Sequence, residues 1–221
     1  MQLKTLDFKL QKEESDNRYT KGEFTSFGQV NTEDDLLLNF GVKVKLQNGS
    51  KMEGKDIEMI RQGLLSFFET FKDISNQLRE HDILISYSKM KRMHASRASG
   101  VFSPYYKAIG VSDMKDVNRV LAHELGHFMD YILGVRVKRF YASDDRNSLA
   151  GKIADTFRRK MRRWQASEYK NRTKECFARA IEQYYCSINK IEIGEMETEY
   201  CRSNEFDIHI SPLIRECIKI I

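Results

Sequence analysis

Five residues, His123-Glu124-Leu125-Gly126-His127, constrain this chain more than any other stretch. Histidines four positions apart stand one above the other on a helix face, where two imidazoles can hold a single Zn²⁺. An acid beside the first of them is placed to take a proton from an attacking water, so Glu124 reads as a general base. Gly126 leaves room for close packing of a substrate or a neighbouring strand. The flanks call for a helix: Ser112-Asp113 serves as N-cap and first-turn acid, and Val117, Val120, Leu121, Glu124, Phe128 and Ile132 recur at helical spacing up to Gly134. The bland alternative, two histidines used as core or surface residues, explains neither the acid between them nor a candidate third ligand.

A catalytic zinc site uses three protein ligands and leaves a position for water, whereas a structural one is closed by four. The extended form of the motif is excluded, because Asp130 and Leu133 stand where its glycine and third histidine would be. His81, His94 and His209 are the remaining histidines. The best third ligand is Glu175 in Lys174-Glu175-Cys176-Phe177-Ala178-Arg179-Ala180-Ile181-Glu182, 48 positions after His127 (175 minus 127), with Ala178 small enough for close approach of two helices. The competing reading of Glu175 is a first-turn acid that complements the helix dipole. Glu182 is expected to pair with Arg179, and Glu168 lies in a less regular stretch. Asp130, one turn beyond His127, could orient a ligand's second ring nitrogen or stand as a helix-surface acid.

Taken together, H-E-L-G-H-F-M-D-Y and the later E-C-F-A-R-A-I-E resemble the two-helix pattern of zincin metallopeptidases with a glutamate third ligand, as in the catalytic domain of anthrax lethal factor. They are also similar to zincin-like domains in polyvalent proteins of phages and conjugative elements. The resemblance spans roughly residues 55 to 190 in order of elements, and the two short motifs are its specific part. It implies that His123, His127 and Glu175 bind one Zn²⁺, that Glu124 is the base, and that Tyr169, six residues before Glu175, stabilises the transition state. The tyrosine's spacing is off by one from the family pattern, and a packing or surface role is the alternative. Thermolysin-like enzymes place Asp where Arg179 stands, which separates this chain from them. The expectation is therefore a zinc metalloendopeptidase acting on a protein or peptide. The alternative is a zincin-like accessory protein of a mobile genetic element that binds nucleic acid or a protein partner and cleaves nothing, and a toxin acting inside another cell is a third reading.

With 41% hydrophobic and 31% charged residues the 221-residue chain is expected to be globular, of α+β class, with helices packed on a small mixed sheet. Residues 1–22 read as a polar arm and 23–221 as the zincin-like domain. No apolar run reaches membrane-span length and the first residues lack a signal-peptide core, so a cytoplasmic protein without membrane contact is expected. Cys176, Cys186, Cys201 and Cys217 form no C-x-x-C pair and read as reduced thiols.

Along the chain, strands are expected over 24–30 and 36–46, the second ending Val42-Lys43-Val44-Lys45-Leu46 before Asn48-Gly49, with Val42, Val44 and Leu46 facing a core. Ile57, Ile60, Leu64, Leu65, Phe68, Phe71 and Ile74 give an amphipathic helix over about 55–79. Residues 82–87 read as a buried strand, followed by a basic loop with Lys89, Lys91, Arg92 and Arg97. Residues 101–111 read as one strand with Pro104 at an edge position, suited either to pairing with an extended peptide or to plain connection. Helices are expected over 148–164 and 173–188, the latter capped by Thr173, and from Ser211-Pro212 to the end with Leu213, Ile214, Cys217, Ile218 and Ile221 inward. The run Arg158-Arg159-Lys160-Met161-Arg162-Arg163 reads as a solvated helix face, with a phosphate-binding patch for nucleic acid as the rarer possibility.

Overall fold

The structure, a computed structural model, describes residues 42–46, 54–74, 83–87, 100–104, 107–111, 116–161, 172–193 and 199–220. The arm at 1–22, the strand expected at 24–30, the basic loop at 89–97 and Tyr169 lie outside the described residues.

The class is α+β. Strand β1 (Val42–Leu46) leads into helix α1 (Gly54–Thr70), which precedes β2 (Ile83–Tyr87). A pair of short strands follows, β3 (Gly100–Ser103) and β4 (Ala108–Val111). Together they form a four-stranded mixed sheet in the order β1-β2-β4-β3. β1, β2 and β4 run parallel, while β3 is antiparallel to β4 in the register Val101↔Gly110 and Phe102↔Ile109. The expected single strand over 101–111 is thus two. Pro104 lacks the N–H that a continuing ladder needs and ends β3, and Lys107 adopts φ 47° as the chain turns back. The fold makes β3 the outermost strand of the described sheet, at the edge beside the histidine motif.

The motif lies on α2 (Val117–Arg136), which packs against α1, β3, β4 and the later helix α4. α2 begins later than the expected cap, at Asp116, whose side chain makes no capping bond. It also runs past Gly134, because that glycine faces the returning chain: a Cβ there would stand 2.9 Å from Ala142 N and Phe140 O. Its absence serves close packing and not helix termination. A 3₁₀ turn (Ala142–Asp144) leads to α3 (Leu149–Lys160), where Ser148 accepts a 2.8 Å bond from Gly151 N as a true N-cap. α4 (Thr173–Ile188) is capped at Arg172 and not at Thr173, whose hydroxyl is turned to Asp144 at 2.8 Å. Two helices close the chain, α5 (Ser203–His209) and α6 (Ser211–Ile220). α5 lies between the helices expected at 173–188 and from Ser211, where no element was expected.

The core gathers Ile60, Leu64 and Phe67 of α1, Phe71 and Ile74 just after it, Ile83, Ile85 and Ile109 of the sheet, Leu121, Leu125 and Phe128 of α2, and Phe177, Ile181 and Tyr185 of α4. One position departs from the α1 pattern. Leu65 is exposed at the edge of the stripe, and Phe67 is buried at its centre with Ile60, Leu64 and Phe68. All four cysteines are buried, and among the described residues none forms a disulfide. Among the described residues no helix is long and apolar enough to cross a membrane.

Candidate metal centre

α2 and α4 come together at their small residues. A Cβ on Gly126 would lie 3.0 Å from Ala178 Cα and 3.1 Å from Ala178 O, so the glycine makes room for the backbone of α4 and not for a substrate or a strand. That close approach sets His123 and His127 opposite Glu175, in the first turn of α4. His123 Nε2 stands 3.6 Å from one Glu175 oxygen, and His127 Nε2 stands 3.4 Å from the other.

These separations decide what the cluster fits. An imidazole and a carboxylate in direct contact would close to roughly 2.7–2.9 Å. Ligands held roughly 2.0–2.2 Å from one ion at tetrahedral angles lie about 3.3–3.6 Å apart. Both His–Glu distances fall in the second range, and all three ligand atoms lie within 4.8 Å of one another. Two imidazoles and one carboxylate also form the donor set a catalytic Zn²⁺ takes. The residues therefore fit the ion on spacing and on chemistry.

Charge points the same way. Glu124, Glu175 and Glu182 are all buried around His123. For Glu175, burial opposes ionisation, but the facing imidazoles of His127 and His123 hold its carboxyl well below the usual range. For His123, burial opposes the charge, yet the carboxylates of Glu175, Glu182 and Glu124 outweigh it and raise the imidazole to about 10. Burial pushes His127 below its usual value and leaves it neutral, with a lone pair to offer. A cavity of this composition favours positive charge beside Glu175 and Glu182.

Glu124 follows His123 on the side of the edge strand. The space it needs exists because residue 100 is glycine: a Cβ there would be 2.8 Å from Glu124 Oε1 and 2.6 Å from Val120 Cγ1. The Phe102 backbone N–H donates to the Glu124 carboxylate, fixing it against β3. Burial, with the neighbouring Glu175 and Glu182 adding to it, pushes this carboxyl up to about 7 against the opposing pull of His123 and Phe102. A carboxyl with a pKa near neutrality can both take and return a proton, as a general base requires.

Two expectations about the surroundings are corrected. Asp130 is neither a helix-surface acid nor a partner of His127: it is fully buried. It accepts 2.8 Å and 2.5 Å bonds from Ser143 N and Ser143 Oγ, tying α2 to the 3₁₀ turn, and His127 Nδ1 is buried with no hydrogen-bond partner among the described residues. Glu182 does not pair with Arg179, which turns instead to Glu199 at 3.3 Å. Glu182 accepts from Tyr200 OH at 2.7 Å and from Arg119 Nε at 3.1 Å, and lies 3.1 Å from His123 Nδ1. Sequence reasoning missed Tyr200 and Arg119 altogether. The helical repeat does offer one signal, since Arg119 sits one turn before His123 and shares its face.

Of the basic run, the described members are engaged nearby. Arg158 binds Asp155 at 2.7 Å, Arg159 Nε donates to the Asp155 carbonyl at 3.2 Å, and Lys160 meets Glu205 at 2.6 Å. No family model matches this chain, and no curated protein matches it in sequence.

Proposed function

We propose that this chain is a zincin-like, zinc-dependent metallopeptidase in which His123, His127 and Glu175 hold one Zn²⁺ and Glu124 is the general base. The observation that carries this reading is the pair of His–Glu separations at 3.4 and 3.6 Å, spaced for a shared ion, with a buried acid of pKa about 7 beside them. When bound, the ion would supply Lewis acidity to the scissile carbonyl and to an attacking water. Glu124 takes the proton of that water and delivers it to the departing amine, a transfer its near-neutral carboxyl can make in both directions. The Phe102 N–H donates to Glu124 and orients its carboxylate. β3, outermost among the described strands, supports binding of an extended peptide by strand addition, which would lay the substrate alongside Glu124.

The test is Glu124→Gln, which preserves shape and ligands while removing the base. Zinc content should remain at one ion per chain, and cleavage of a mixed peptide library should fall by about 10²–10⁴-fold. Undiminished cleavage in that variant would overturn the assignment.

A further inference from the structure

Arg179, four residues after Glu175, turns to Glu199 at 3.3 Å. Glu182, seven residues after Glu175, returns to the same face of α4 and meets His123 instead. One of its oxygens lies 3.1 Å from His123 Nδ1 and also accepts from Tyr200 OH at 2.7 Å. Its other oxygen accepts from Arg119 at 3.1 Å. Glu182 is nearly fully buried, and so is Tyr200.

We infer that Glu182, clamped by Tyr200 and Arg119, is the positioning residue for His123, fixing its ring so that Nδ1 carries the proton and Nε2 faces the metal. This rests on the metallopeptidase reading above. The physical argument is one of freedom removed. A carboxylate held by a single partner could rotate, and the imidazole with it. Bonds to both oxygens, from a tyrosine on the segment after α4 and an arginine on α2, leave Glu182 one orientation. An acceptor fixed at Nδ1 also raises the donor strength of Nε2 toward an ion. Arg119 lies 5.6 Å from the Tyr200 ring centre and reaches its hydroxyl at 3.4 Å, so the two clamps brace each other. The segment carrying Tyr200 is itself anchored: Cys201 exchanges two bonds with Gln183, at 3.0 and 3.1 Å, and bridges to Met161. Residues beyond α4 therefore take part in shaping the metal centre, whereas His127 Nδ1 has no such partner among the described residues.

The experiment is zinc affinity by competition with a chromophoric chelator, together with the visible spectrum of the Co²⁺-substituted full chain, for wild type, Tyr200→Phe, Glu182→Gln and Glu182→Ala. Tyr200→Phe keeps the ring and removes only the hydroxyl, so it serves as the variant least able to disturb folding, which circular dichroism of the metal-free chains checks. Glu182→Ala should lose about 10–100-fold in zinc affinity, with the Co²⁺ bands displaced, and Tyr200→Phe should lose a smaller factor in the same direction. Glu182→Gln keeps an acceptor oxygen and should fall between wild type and Glu182→Ala. Folded variants with wild-type affinity and unchanged Co²⁺ bands would overturn this inference alone. A wild type that takes up neither metal would overturn the metallopeptidase reading and this one with it.

Discussion

At the scale of single residues, the buried acids divide by what surrounds them. Glu175 and Glu182 face imidazoles and stay ionised, whereas Asp130 meets the neutral groups of Ser143 and the Ala142 backbone, and burial raises its carboxyl from its usual 3.8 to about 7. The sign of the consequence follows from proton counting. Between those two values the folded chain holds a proton that the unfolded chain has released, so stability falls as pH rises, by about 1.4 kcal/mol per unit from this group at most. Below about 4 both states are protonated and the effect vanishes. Asn at this position can accept from Ser143 N and donate to Ser143 Oγ as the protonated acid does. Asp130→Asn should therefore stay folded and lose the wild type's decline in stability between pH 5 and 7, read from urea denaturation at each pH. Parallel slopes for the two proteins would show that Asp130 does not titrate in that range. Residue types and local spacing made the motif legible: His123, Glu124 and His127 needed only the helical repeat, and Glu175 needed a second helix with a small residue nearby. The roles of Glu182 and Asp130 were not legible. Each depends on which side chain of another element arrives opposite, Tyr200 and Arg119 in one case, Ser143 in the other, and a single sequence does not state the rotation of one helix against its neighbour.

At the scale of elements, the centre exists because α2 and α4 approach to backbone contact at Gly126 and Ala178. Both helices were readable from apolar periodicity, and the closeness was readable from the two small residues, although the glycine's neighbour was expected to be a substrate or strand. What sequence could not show was the break at Pro104, which turns one long strand into an antiparallel pair and so places β3 at the sheet edge beside Glu124. Breaking the helix contact should disturb the metal before it disturbs the fold. In Gly126→Ala the new methyl would meet Ala178 Cα at 3.0 Å and Ala178 O at 3.1 Å, so the helices must part by a few tenths of an ångström. Overpacking of this kind costs about 1–3 kcal/mol. We expect Gly126→Ala to lower the unfolding free energy by that amount and to weaken zinc binding, because His127 is carried on the displaced turn. Gly126→Val should do both more severely. Stability and zinc affinity equal to wild type in Gly126→Ala would mean that the contact is looser than its geometry indicates.

At the scale of the whole molecule, α+β class and helical content were readable, since long periodic helices announce themselves and β2 reads as a continuous apolar run. The short α5 was hidden, because seven residues with Phe206 as their buried anchor carry little periodicity. The assembled fold places three carboxylates around two imidazoles in its interior, on elements far apart in sequence. Such a cluster is a burden on the folded chain unless positive charge offsets it, from Arg119, a proton on His123 or a bound ion, since each buried charge has lost its hydration. The unfolded chain has no such burden and cannot hold Glu175 opposite the histidines. An ion that binds only the folded form adds about 1.4 kcal/mol of stability for each tenfold excess over its dissociation constant. For a chain of this length that amounts to roughly 3–6 °C in Tm per decade. Thermal unfolding should accordingly shift upward in proportion to the logarithm of free zinc, and fall when a chelator is added. His123→Ala should flatten that dependence without abolishing cooperative unfolding, as Ile153, Phe157, Phe177 and the rest of the core are untouched. A wild-type Tm indifferent to both zinc and chelator would mean that the cluster balances its charge with protons alone, and the His–Glu spacing would then need another cause.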